Sequence, residues 1–218
     1  VTQVSINALK VGLADNDPAF RKALERFDLA GADGQPMVWA ARMLGAPVRG
    51  RVNGTDLMFE LFELAERESF RVYLLGATQE ALDAAVAQLG VRYPRLEIAG
   101  ARHGYFDAED EHEVVLGVSR SQADILLVAL PSPRKEWFLL DHAGELDVGF
   151  AMGVGGSIDV LAGIQPRAPV WMQRAGLEWL FRLLRDPRGM WRRYLTTNAR
   201  FVSLLARAVY ARRVRVAK

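Results

Sequence analysis

The residues able to do chemistry lie where strand-like segments end. Asp33 stands before Gly34, between a strand-like piece and a helix-like one. A carboxylate at a sheet edge can take the proton of a hydroxyl, the work of a general base. It can equally cap the helix that follows. Arg51, in RVNGTD over 51–56, precedes another helix-like run. Its guanidinium suits a phosphate or a nearby acid. The run GVGGS over 153–157 also joins a strand to a helix. Lacking Cβ atoms, Gly153, Gly155 and Gly156 would let backbone amides close on a phosphate, aided by the dipole of the helix. The pattern matches neither G-x-G-x-x-G nor the P-loop, so a plain tight turn is equally open. HGYF over 103–106 offers rings for stacking on a base or sugar, with core filling as the competing role.

The elements that must position these residues alternate in type. Strand-like runs occur at 1–6, 71–75, 96–99, 125–130 and 148–152. Helix-like runs occur at 18–26, 34–44, 56–68, 78–93, 109–121 and 134–142. This alternation predicts an α/β fold, a mostly parallel Rossmann-like sheet flanked by helices. In such sheets ligands bind beyond the carboxyl ends of the strands. The places to look are therefore Asn7, Gly76, Tyr105, Ser132 and the turn at 153–156. Asp17 and Pro18 predict a helix start, as does Thr78.

Composition narrows the classes. Cysteine is absent and histidine occurs three times, so neither disulfides nor a Cys/His metal site is expected, and no cofactor is implied. A reducing cytosol suits such a chain. No apolar run reaches the roughly 18–20 residues of a membrane span. The chain opens on Val1 inside a strand-like segment, so further residues are expected upstream.

Charge is divided unevenly. Residues 174–218 hold 12 basic and two acidic residues, a net +10. The preceding 173 residues hold 16 basic and 24 acidic residues, a net −8. In the tail, arginine alternates with Trp179, Phe181, Trp191, Tyr194, Phe201 and Tyr210. Helices are expected at 176–184 and 198–213, with Pro187 breaking the path between them. That composition fits an amphipathic appendage on an anionic membrane surface. No recognisable nucleic-acid motif accompanies it, so nucleic acid is not the expected partner. The predicted division is a core over 1–173 and a membrane-associating appendage over 174–218. Self-association is left open.

Taken together, these segments resemble the WecG/TagA/CpsF glycosyltransferase family. The resemblance runs from about Ser5 to about Tyr194. Its most specific stretch is GVGGSIDVLAGIQPRAPVWMQRAGLEWLFRLLRDPRGMWRRY, residues 153–194. SIN at 5–7, ADG at 32–34, RVNGTDL at 51–57, LLGA at 74–77 and GYF at 104–106 precede it in the expected order.

The resemblance implies an inverting, metal-independent transfer in polysaccharide biosynthesis, at the inner face of the plasma membrane. The implied donor is UDP-N-acetylmannosamine or a relative. The implied acceptor is a sugar joined through diphosphate to a polyprenyl lipid. Asp33 matches the catalytic base, Arg51 an active-site arginine, and Asn7 an asparagine beside the pocket. Ser5 stands where many members have threonine. Asp159 matches an acid near the nucleotide. Arg182, Arg185, Arg188 and Arg192 match a basic segment that folds over the site and touches the membrane. The chain departs from the pattern at Lys135, in PSPRKE over 131–136, where the family often has glutamine. A cation there points to an acidic donor sugar such as glucuronic acid, or to a further phosphate contact. The rival readings are an inert nucleotide-sugar-binding protein that docks on membranes, and a nucleic-acid binder.

Overall fold

The computed structural model describes residues 1–174 and 176–216, with the side chains of Arg174, Arg182, Arg188, Met190, 192–194, 215 and 216 outside the description. In chain order the first elements are β1 (Thr2–Ile6), α1 (Ala8–Asn16), α2 (Pro18–Leu24), β2 (Leu29–Ala32) and α3 (Gln35–Met43). Next come α4 (Gly54–Glu68), β3 (Arg71–Gly76), α5 (Gln79–Arg92), β4 (Glu97–Arg102) and α6 (Glu111–Arg120). Then follow β5 (Ile125–Ala129), α7 (Arg134–Asp141), β6 (Phe150–Gly153) and α8 (Ser157–Leu161). The C-terminal region holds α9 (Val170–Arg174), α10 (Glu178–Arg185) and α11 (Pro187–Val216).

The six strands form one sheet in the order β2-β1-β6-β5-β3-β4. The pairings of β1 with β6, β6 with β5, β5 with β3 and β3 with β4 are parallel. Register runs from Val72 opposite Ile125 to Gly76 opposite Ala129, and Leu126 lies opposite Ala151. β3 and β5 are almost continuously apolar and buried, as central strands covered on both faces must be. The predicted α/β parallel architecture is the one observed.

The chain divides into two compact units. The first comprises 1–5, 22–31 and 53–166. Its core packs Met58, Phe62 and Ala65 of α4 and Leu82, Ala85 and Leu89 of α5 against Val72, Leu74, Leu127 and Met152 of the sheet. The starts of α4 and α5 carry side-chain caps, each of which stabilises by about 1 kcal/mol. Asn53 accepts from the amides of Thr55 (2.8 Å) and Asp56 (3.2 Å), and Thr78 accepts from Ala81 N (3.2 Å).

The second unit comprises 6–21, 32–52 and 167–218. The long helix α11 packs along α1, with Phe201 buried and Arg200 paired to Asp15 and Asn16. The C-terminal helices thus share a unit with two earlier segments. The tail does divide next to Pro187, with α10 ending at Arg185, but the second helix begins at Pro187 rather than near 198. That helix is continuous over 30 residues. Proline is harmless at a first helical position because that amide has no partner inside the helix. Asp186 Oδ1 caps the start by accepting from Gly189 N (2.9 Å).

Candidate active site

In the second unit, three short segments meet through their backbones. Asp33 N donates to Ile6 O (2.8 Å), and Val52 N donates to Ala32 O (3.0 Å). These bonds bring Asn7, Asp33 and Arg51 to neighbouring chain ends. Asp33 is half-buried. The helix behind it, α3, is capped by Gly34 with no side-chain hydrogen bond. Asp33 stands one residue before that cap position. Asn7 does cap a helix: its Oδ1 accepts from Lys10 N (3.1 Å) at the start of α1.

Arg51 is anchored within the same unit. Its Nη1 donates to Glu178 Oε2 (2.8 Å), and both side chains are mostly buried. Arg167 Nε lies 4.0 Å from the other carboxylate oxygen of Glu178. Glu178 opens α10, where a carboxylate is favoured by the helix dipole. One acid thus hydrogen-bonds Arg51 and lies at ion-pair distance from Arg167. Gly176 lies against Gln35, so the start of α10 borders the start of α3.

In the first unit, Gly153, Gly155 and Gly156 form the turn between β6 and α8, held by Val154 N donating to Val128 O (2.9 Å). Gly155 has φ +52°, a left-handed conformation that favours glycine. Lys135 lies across this turn. A Cβ on Gly153 would fall 2.7 Å from Lys135 Cδ, and one on Gly155 would fall 3.7 Å from its Nζ. Lys135 is buried, and its Nζ donates to Ser132 Oγ (2.7 Å). Ser132 Oγ in turn donates to Glu136 Oε1 (3.0 Å), which lies 3.5 Å from Lys135 Nζ. Ammonium, hydroxyl and buried carboxylate therefore form a cluster beside the glycine turn.

Other predicted residues take varied places. Asp159 lies on α8 near Gly156, and burial raises its pKa above the ordinary carboxylate range. Ser5 is buried, accepts from Gln3 Nε2 (3.3 Å), and lies beside Gly54. Gly76 is required by packing: a Cβ there would lie 2.5 Å from the Ala129 carbonyl carbon. Tyr105 is exposed, whereas its neighbour Phe106 is buried under the Arg134 guanidinium, 4.3 Å from the ring centre. Arg185 is exposed, and the side chains of Arg182, Arg188 and Arg192 lie outside the described residues.

Sequence reasoning passed over Glu178, Arg167 and Glu136. A signal for Glu178 existed, since it is one of only two acids in residues 174–218. Also unforeseen was the buried bond between Thr55 Oγ1 and Ser157 Oγ (2.8 Å), which ties the start of α4 to α8.

The sequence model of the glycosyl transferase WecG/TagA/CpsF family matches residues 1–215. Among curated proteins, the chain is similar to N-acetylglucosaminyldiphosphoundecaprenol N-acetyl-beta-D-mannosaminyltransferase of Staphylococcus aureus strain MW2 and of strain NCTC 8325 / PS 47. Each is 34% identical over 183 residues, which is 84% of this chain and 71% of the relative.

Proposed function

We propose, from the premise that this chain belongs to the WecG/TagA/CpsF glycosyltransferase family, that it moves an N-acetylmannosamine-type sugar from UDP to a polyprenyl-diphosphate-linked sugar. The observation that carries this reading is the grouping of Asn7, Asp33 and Arg51, with Arg51 held by Glu178. The relatives' names supply the substrate class: an N-acetylglucosaminyl-diphosphoundecaprenol acceptor and a mannosaminyl group.

In this reading Asp33 takes the proton of the acceptor hydroxyl as its oxygen attacks the anomeric carbon. The bond from that carbon to the UDP oxygen breaks, and the electron pair leaves with UDP. Attack opposite the leaving group inverts the anomeric configuration. The growing charge on the diphosphate is met by fixed dipoles and cations. Arg51, held by Glu178 in the same unit as Asp33, is suited to that task, and this countercharge supports a metal-independent route.

The acidic donor sugar considered from sequence has only the charge of Lys135 in its favour. That charge is already met by Glu136. The N-acetylmannosamine-type donor therefore stands as the reading. The cationic segment 174–218 supports a peripheral position on an anionic membrane, where the lipid-linked acceptor resides. Among the described residues no helix is long and apolar enough to cross a membrane.

The test is a donor panel. The protein is offered several UDP-sugars with a short-chain prenyl-diphosphate-N-acetylglucosamine acceptor, and products are read by mass and by the configuration of the new linkage. The expected product gains one N-acetylhexosamine, inverted at its anomeric carbon. A product formed only with uronic acid donors, or with retained configuration, would overturn the reading.

A further inference from the structure

The second unit exposes an apolar ridge outside the basic tail. On α3, Trp39 and Met43 lie one helical turn apart and are 58% and 55% exposed. Leu44 follows at the helix end, 39% exposed. Val38 and Ala40 of the same helix are buried, so α3 is held in place while its ridge faces outward. Single exposed apolar residues are ordinary, but a contiguous group of large ones marks a contact surface.

The charge around the ridge selects the partner. Residues 34–55 contain Arg42, Arg49 and Arg51 and no acid. Arg42 binds the carbonyls of Val48 (3.4 Å) and Arg49 (3.0 Å), which folds the loop after α3 back on the helix. Arg212 of α11 donates to Met43 O (2.8 Å), placing a tail cation at the end of the ridge. On α11 itself, Trp191, Leu195 and Val202 are exposed on one helical face. Tryptophan and methionine flanked by arginines suit the boundary between lipid headgroups and acyl chains. A second copy of the chain would set arginine against arginine across a two-fold interface.

We infer that α3 is a second membrane-contacting element, whose Trp39 and Met43 enter the headgroup region of an anionic bilayer while Arg49 and Arg212 meet the lipid phosphates. One consequence rests on the proposed function. Asp33 immediately precedes this helix, so seating α3 in the bilayer brings the base to the level at which a lipid-linked acceptor presents its sugar.

The experiment compares the full chain with the W39S/M43S variant. Flotation uses vesicles of phosphatidylglycerol mixed with phosphatidylcholine, and of phosphatidylcholine alone. Loss of two inserting side chains should weaken binding to anionic vesicles at least about tenfold. A W39F/M43L variant should bind like the parent, which guards against an effect of misfolding. Transfer to a water-soluble short-chain acceptor should be unchanged in W39S/M43S, while transfer to vesicle-borne acceptor falls. Equal vesicle binding by parent and W39S/M43S would overturn the inference. So would a halved molar mass of W39S/M43S in light scattering, which would assign the ridge to a second copy. If the parent transfers nothing to the soluble acceptor, the proposed function fails while the flotation result still decides the membrane contact.

Discussion

At position 135 a lysine stands where the family resemblance leads one to expect glutamine, and its surroundings determine what the charge does. The ammonium is buried beside Glu136, itself almost fully enclosed, and Ser132 bridges the two. Removing the cation leaves a carboxylate in a poorly solvated place. Lys135→Met should therefore destabilise the protein by about 1–3 kcal/mol in urea unfolding. Adding Glu136→Gln should recover most of that loss, because the remaining amide is neutral. Failure of the double variant to recover stability would show that Lys135 acts through packing against the glycine turn alone. The residue scale was unevenly legible from sequence. Asp33 and Arg51 stood out through their motifs, but Glu178, the acid that orients Arg51, lies 127 positions away and no local pattern links them. Gly76 looked like a ligand contact at a strand end. Its backbone also packs against β5, a reason for glycine visible only once the strands are paired.

Helix α7 links the Lys135 cluster to a second ionic group at its far end. His142 follows the last turn of α7, where a protonated imidazole is favoured by the helix dipole. Burial, the largest single influence, works to lower its pKa. Hydrogen bonds to Glu111 of α6 (3.0 Å) and to Glu145 (3.4 Å) outweigh it, so the net shift is upward. A histidine with a raised folded pKa stabilises fully below its unfolded value of about 6.5, and that contribution is lost as pH rises through the folded value. The urea midpoint should thus fall as pH rises from about 6 to about 9, and His142→Gln should flatten the fall. Equal slopes in both proteins would remove His142 from the account. Among elements, the strands and the helices around them were readable because their apolar periodicity is strong. α1 was not, since its buried residue is Lys10 and its sequence shows little apolar stripe. β2 was hard to delimit because four small or partly exposed residues make a weak strand signal. In the tail the break next to Pro187 was readable, but the second helix starts at that proline rather than near 198, because proline is tolerated at a first helical position.

Across the whole chain, the division of charge was plain from composition, and its setting was not. The basic C-terminal segment is built into a unit with 6–21 and 32–52, so α11 is partly a structural helix. Arg200 faces α1 and Phe201 is buried, while Trp191, Leu195 and Val202 are exposed. Deleting 198–218 would uncover α1 as well as remove the proposed lipid contacts, so substitutions on the exposed face give the cleaner test of membrane association. The proposed function gives acidic body and basic tail a common purpose. A membrane-borne acceptor must reach a base in a protein whose surface would otherwise be repelled by anionic lipid. That base is the central claim, and Asp33→Asn tests it most directly. The variant keeps the shape of the side chain and removes its ability to take a proton. Transfer should fall at least about a hundredfold while UDP binding, measured by calorimetry, stays within about twofold of the parent. Transfer retained at more than about a tenth of the parent rate would contradict the assignment of Asp33 as general base.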